Sequence, residues 1–171
     1  NNNEGRKGGG MYLRSMDNSL LSTFTNCQIS NSPRGSGIYF QTTSVEINKS
    51  TIVDNIYGSV GSTNNLKFTN SILAGDGTGS IIWDANYSLG NAWGQTGTGN
   101  ITGSAMFADS SNGDFTLQSN SPCINTGDPN PTYNDPDGTR ADIGAYYSYN
   151  NNLAKTYVPD DNFEAYLETH D

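Results

Sequence analysis

Apolar residues in the first half of this chain fall into short runs that return at nearly constant spacing. Phe24-Thr-Asn-Cys-Gln-Ile29, Ile47-Asn-Lys-Ser-Thr-Ile52 and Phe68-Thr-Asn-Ser-Ile-Leu73 align without gaps, starting 23 and then 21 residues apart. A second element precedes two of them, Gly8-Gly-Gly-Met-Tyr-Leu13 and Gly35-Ser-Gly-Ile-Tyr-Phe40. The unit is too short for two packed helices with their turns, and it lacks the 3.6-residue apolar period of a helix. It suits short strands that pair with the equivalent strand of the next repeat, each repeat depending on its neighbours for burial.

The columns of this alignment carry distinct chemistry. Phe24, Ile47 and Phe68 predict one large apolar column, and Ile29, Ile52 and Leu73 a second. Cys27, Ser50 and Ser71 predict a buried column of small residues between them. Asn31, Asp54 and Gly75 are residue types that accept a left-handed backbone, so each is expected at a turn. Glu46 and Lys67 occupy equivalent positions and predict a surface ion pair between repeats, a contact that contributes only about 0–1 kcal/mol.

Composition agrees with a turn-rich β fold. Only 33% of the 171 residues are apolar, yet aromatics reach 11%, which separates the chain from disordered sequences. Glycine, hydroxyl residues and 23 asparagines fill the deficit, as many turns require. A formal net charge of −9 argues against nucleic acid as a partner and against docking on anionic lipid. No apolar run is long enough to cross a membrane as a helix. Two cysteines, Cys27 and Cys123, are too few for a disulfide framework and are expected as free thiols.

The Gly-rich turn, Ile-Tyr strand and Asn-Ser-Thr-Ile strand of residues 8–76 resemble the right-handed parallel β-helix proteins, a pectate-lyase-like solenoid class. After position 77 the repeat fades, and Gly90–Gly103 reads as a long surface loop. Phe107-Ala-Asp109, Gly113-Asp-Phe-Thr-Leu117, Ser121-Pro-Cys-Ile-Asn-Thr-Gly127 and Asp135-Pro-Asp-Gly-Thr-Arg-Ala-Asp-Ile-Gly-Ala-Tyr146 then follow in an order similar to the closing segment of bacterial secreted β-helix proteins. Cys123 departs from that pattern, which commonly has Ala, and Tyr147 stands where an acidic residue often follows. The tail Thr156–His170 reads as the start of a helix and resembles the lead-in to leucine-rich-repeat modules of Bacteroidota-type secreted proteins.

These resemblances imply an all-β fold: a right-handed parallel β-helix with a C-terminal cap and a short helical tail. The expected divisions are rungs over 1–76, loop and cap over 77–149, and a linker with the start of another module over 150–171. The chain is then expected to be the C-terminal part of a longer secreted or cell-surface protein, with further domains of the same parent as neighbours. The cap is expected to cover the open end of the stack and hide its last strand edge.

Candidate chemistry is sparse. The lone His170 lies in the tail, so no Ser–His or Cys–His arrangement is expected and no catalytic residue is assigned. Asp128, Asp135, Asp137 and Asp142 crowd one turn-rich stretch and could offer hard oxygen ligands to Ca²⁺. EF-hand spacing fails, because the twelfth position from Asp135 is Tyr146. The competing expectation is that Asp135 and Asp137 bond to their own turns while Arg140 pairs with a nearby carboxylate to pin the cap. Tyr12 and Tyr39 occupy equivalent positions between apolar neighbours, so period-two alternation sends both outward as a ladder that can stack on sugar rings. The leading expectation is therefore a non-catalytic module for adhesion or polysaccharide contact. The alternative is a fragment of a polysaccharide lyase or glycoside hydrolase whose catalytic rungs lie upstream.

Overall fold

A chain with so few apolar residues must bury them in thin layers, and the strand pairing shows how. A computed structural model describes residues 11–14, 21–30, 38–41, 44–53, 56–58, 65–74, 83–90 and 95–148. The first repeat supplies β1 (Met11–Arg14), β2 (Leu21–Thr25) and β3 (Gln28–Ile29). The second supplies β4 (Ile38–Gln41), β5 (Ser44–Asn48) and β6 (Thr51–Val53), and the third β7 (Ile56–Gly58), β8 (Asn65–Thr69) and β9 (Ile72–Ala74). The fold is all-β, with equivalent strands hydrogen-bonded in parallel from one repeat to the next.

Repetition continues past the point where its spelling fades. β10 (Trp83–Asn86), β11 (Leu89–Gly90) and β12 (Gln95–Thr96) extend two of the sheets. The three parallel sheets run β1-β4-β7, β2-β5-β8-β10-β12 and β3-β6-β9-β11. Gly90–Gly103 is thus not one long loop: Gln95 pairs with Trp83, and Ile101 bridges Leu89. The spelling is lost there because Ala85 takes the place of Phe68 in the register and the repeat contracts.

The expected columns form. Phe24, Ile47 and Phe68 are register partners, as are Ile29, Ile52 and Leu73. Val45, Ile47, Ile52, Leu66, Phe68, Leu73 and Ala85 make one buried cluster, with Phe24 and Ile29 packed at its edge and only half-buried. The Glu46–Lys67 pair is present at 3.6 Å with both side chains largely exposed, so it does little for stability.

Each repeat turns its corner with the same hydrogen bonds. Asn26, Lys49, Asn70 and Tyr87 adopt φ of 55, 44, 51 and 47°, the left-handed region. The residue after each is Cys27, Ser50, Ser71 or Ser88. Cys27 N donates to Ser50 Oγ, Ser50 N to Ser71 Oγ and Ser71 N to Ser88 Oγ, each at 3.2 Å. Ser88 N donates to Asn100 Oδ1 at 3.0 Å. The three serine hydroxyls in turn donate to the carbonyls of Asn48, Thr69 and Asn86, two residues back. A buried corner keeps its backbone N–H groups satisfied this way. The steps along this ladder are 23, 21, 17 and 12 residues, so successive repeats shorten. The column expected at Asn31, Asp54 and Gly75 lies outside the described residues.

A second buried cluster lies on the opposite face of β9 and β11. Ile72 and Leu89 join Ala105, Cys123 and Ile143 there, with Phe107 and Leu117 packed against them. β13 (Phe107–Asp109) and β14 (Asp114–Leu117) form an antiparallel pair whose Phe107 and Phe115 rings meet edge to face at 5.1 Å. Beyond them the C-terminal segment runs back along the flank of the stack. Gly144 N donates to Asn70 O, Ala145 N to Thr51 Oγ1, and Tyr146 Oη to Gln28 Oε1 at 2.6 Å. Thr51 pairs in register with Ile72 on one side and Gln28 on the other. The segment therefore crosses β9, β6 and β3 in turn. The physical reason is the apolar stripe that Ile72 and Leu89 present on the outer side of their sheet.

Two glycines make this contact close. A Cβ on Gly127 would stand 2.7 Å from Ala141 O and from Asn70 Oδ1, and one on Gly144 (φ +125°) would stand 2.8 Å from Ile72 Cδ1. Both cysteines are free thiols, Cys27 half-buried and Cys123 fully buried. Burial, the larger influence, and the charge of Asp142 push the Cys123 thiol up to about 11. Iodoacetamide at about pH 8 is therefore expected to label Cys27 in the native protein and Cys123 only after denaturation. Peptide mass mapping checks this, and equal native rates at both sites would contradict the burial of Cys123. The expected helical tail and following module, residues 150–171, lie outside the described residues.

Candidate functional site

Where the C-terminal segment meets the corner column of the stack, it leaves a cleft of about 280 Å³. Lys49 is central to it. Its left-handed backbone is costly for a residue with a long side chain, about 1–2 kcal/mol, where Asn26 and Asn70 in the same column suit that conformation better. What distinguishes Lys49 is its partner: its Nζ donates to Asp135 Oδ1 at 2.8 Å, with side-chain exposures of 19% and 4%.

The aspartates are held by their surroundings. Asp135 Oδ2 accepts the backbone N–H of Asp142 at 2.7 Å. Asp142 accepts the N–H of Asn125 on Oδ1 at 2.7 Å and that of Ser148 on Oδ2 at 2.6 Å. Burial is the main cause that raises the pKa of Asp142; the two amides oppose it, and Asp135 and Asp137 add to it. Asp128 Oδ1 accepts the N–H of Asn130, and Asp137 Oδ1 accepts both the N–H and hydroxyl of Thr139. Arg140 pins the loop through backbone carbonyls rather than the expected carboxylate, donating to Gly127 O at 2.6 Å and Thr126 O at 3.2 Å, and lies 5.9 Å from the Tyr87 ring centre. That distance is within the range of a cation–π contact.

Asp135 and Asp142 are thus brought together. Asp128 sits where its N–H donates to Asn70 Oδ1 at 2.5 Å, and Asp137 sits in its own turn. Among the described residues, no group of three or more His, Cys, Asp or Glu side chains is arranged to hold a metal ion. Both Asp142 oxygens already hold backbone amides, an arrangement that anchors the loop. A general acid would need its proton aimed at a substrate instead.

Tyr12 and Tyr39 are register partners in β1 and β4, and Tyr57 of β7 continues the row. Their side chains lie outside the described residues. Sequence reasoning did not include Tyr57, although the Ile56-Tyr-Gly58 spelling repeats Ile38-Tyr-Phe40. In three comparisons, no family model, no curated protein and no solved structure matches this chain. No helix among the described residues is long and apolar enough to cross a membrane.

Of the cleft residues outside the aspartate set, Lys49, Asn134 and Tyr147 were not among the candidate site residues. Lys49 is separated from Asp135 by 86 residues, so no local pattern signals their meeting. Tyr147 did stand out, as the residue departing from the closing-segment pattern.

Proposed function

We propose that the chain is a right-handed parallel β-helix module within a larger secreted or cell-surface protein, and that it contacts polysaccharide without catalysing a reaction. Strands that pair in parallel one repeat apart, in three sheets joined by repeated corners, support the solenoid reading. The flanking C-terminal segment acts as its cap, and further modules of the parent protein adjoin it.

The observation that carries the functional part is the row Tyr12, Tyr39 and Tyr57, set in register on adjacent strands. Adjacent parallel strands lie about 4.8 Å apart, so such a row offers several contacts along one extended glycan. Aromatic rings suit this role because they present a large apolar face at low conformational cost. The anchored state of Asp135 and Asp142 favours binding over hydrolysis.

A glycan array run with Ca²⁺ and again with chelator tests the proposal. Selective binding by the wild type is expected, lost when Tyr12 and Tyr39 both become Ala. Loss on chelation would bring the Asp128–Asp142 stretch into the site as a Ca²⁺ holder. A blank array under both conditions would remove glycan contact as the function.

A further inference from the structure

We propose that the cleft between the stack and the C-terminal segment is a separate sugar-binding pocket that takes one neutral monosaccharide unit, a chain end or side branch, with Tyr147 as its stacking face. The inference rests on the glycan-contact reading but concerns a site that shares no residue with the tyrosine row. Small-molecule pockets span about 300–1,000 Å³, and at about 280 Å³ this cleft has room for a sugar ring but not for a chain. Its lining combines two kinds of surface. Tyr147, 46% exposed, and Pro136 offer apolar faces, whereas Asn26, Asn134, Lys49 and Asp135 offer amide, ammonium and carboxylate groups. Sugars need this mixture, since each ring has an apolar C–H face and a rim of hydroxyls.

Charge narrows the ligand. The ammonium of Lys49 is already matched by Asp135 at 2.8 Å, and Asp142 places a further carboxyl group in the lining. No net positive charge is left to attract a uronate, a sulfated sugar or a phosphate. Lys49 retains two further N–H donors, and each carboxylate oxygen has two acceptor sites, so hydroxyl groups can be added to the pair without breaking it. The polar wall is also fixed in advance, because Asp135 is anchored to the Asp142 amide and Gly144 to Asn70 O. Preorganisation of this kind lowers the entropy cost of binding a small ligand.

The full chain, isotope-labelled, is to be titrated with the methyl glycosides of glucose, galactose, mannose, N-acetylglucosamine, fucose and xylose, with glucuronate as a charged control. At least one neutral glycoside is expected to shift the amide signals of Gly144, Ala145 and Ser148, and glucuronate is not. Tyr147→Ala is expected to weaken that binding about tenfold, the loss of one aromatic contact, while Tyr147→Phe retains it. No shift with any neutral glycoside, or shifts that survive Tyr147→Ala, would overturn the pocket. The glycan array separates this failure from that of the wider reading. Binding lost in Tyr39→Ala but unchanged in Tyr147→Ala overturns the pocket alone. A blank array for the wild type overturns polysaccharide contact, and the monosaccharide titration then decides the pocket independently.

Discussion

Phe68→Ala is expected to destabilise the protein by about 3–5 kcal/mol, the range for deleting a fully buried phenylalanine. Phe68 is 0% exposed and sits mid-sheet, with Ile47 as register partner on one strand and Ala85 on the other. Ala85 is itself fully buried and small, so it cannot expand into the space left behind. Leu66 and Leu73 belong to the same cluster but are held by their own strand registers. The cavity therefore stays open and its walls lose dispersion contacts outright. Phe24→Ala is the internal control. It removes the same side chain from the same column, but Phe24 is only half-buried at the edge of the cluster. Its cost is expected to be about 1–2 kcal/mol, since much of its surface is already hydrated. Urea unfolding followed by circular dichroism, with both variants at one temperature, measures the difference. Equal costs for the two would mean that the column is not packed as described.

The contrast between these two phenylalanines also shows what the sequence could reveal. Equivalent positions at a spacing of 23 and 21 residues were legible because large apolar residues recur there with small ones between them. The Glu46–Lys67 pair followed from the same alignment and is present. The later repeats were not legible. In Trp83–Gly90 the large apolar column holds Ala85, and the step from Ser71 to Ser88 has shrunk to 17 residues. The left-handed corner was hidden for a related reason. Asn26, Lys49, Asn70 and Tyr87 share a backbone shape but not one side-chain chemistry, so the column is defined by backbone conformation and hydrogen bonding. Only the small residue after each one, Cys27, Ser50, Ser71 or Ser88, betrays it.

The flank was illegible in a different way. Ile72, Leu89, Cys123 and Ile143 come together from widely separated positions, and no periodicity links them. Ile72 and Leu73 are both apolar neighbours, which breaks strand alternation, and this was the one local hint that both faces of β9 are covered. The aspartate stretch was noticed for its composition, yet its geometry depends on the partner that Lys49 supplies from the opposite half of the chain.

That partnership leads to the second large effect: Lys49→Asn is expected to cost about 2–3 kcal/mol, whereas the double variant Lys49→Asn with Asp135→Asn recovers much of the loss. Removing one member of a buried pair leaves the other charged and unpaired, typically at about 3–5 kcal/mol. The lower figure applies here because Lys49 keeps 19% exposure and water can reach the gap. Asparagine is the informative replacement. It tolerates the left-handed backbone at position 49 at least as well as lysine does, as Asn26 and Asn70 do in the same column. Relief of backbone strain opposes the loss in the single variant but cancels in the double-mutant cycle, where what remains is the charge left on Asp135, which is 4% exposed. Asp135→Asn alone keeps one carbonyl oxygen for the Asp142 amide but strands the Lys49 ammonium, which is less buried and recovers some hydration. Its cost is expected to be the smaller of the two. A double-mutant cycle on thermal or urea unfolding gives the coupling directly. A coupling near zero would mean that the C-terminal segment docks without this pair, leaving Asn70, Gly127 and Gly144 to hold it. A coupling above about 1 kcal/mol places the pair among the contacts that fix the wall of the cleft, and so ties the stability of the flank to the shape of the proposed pocket.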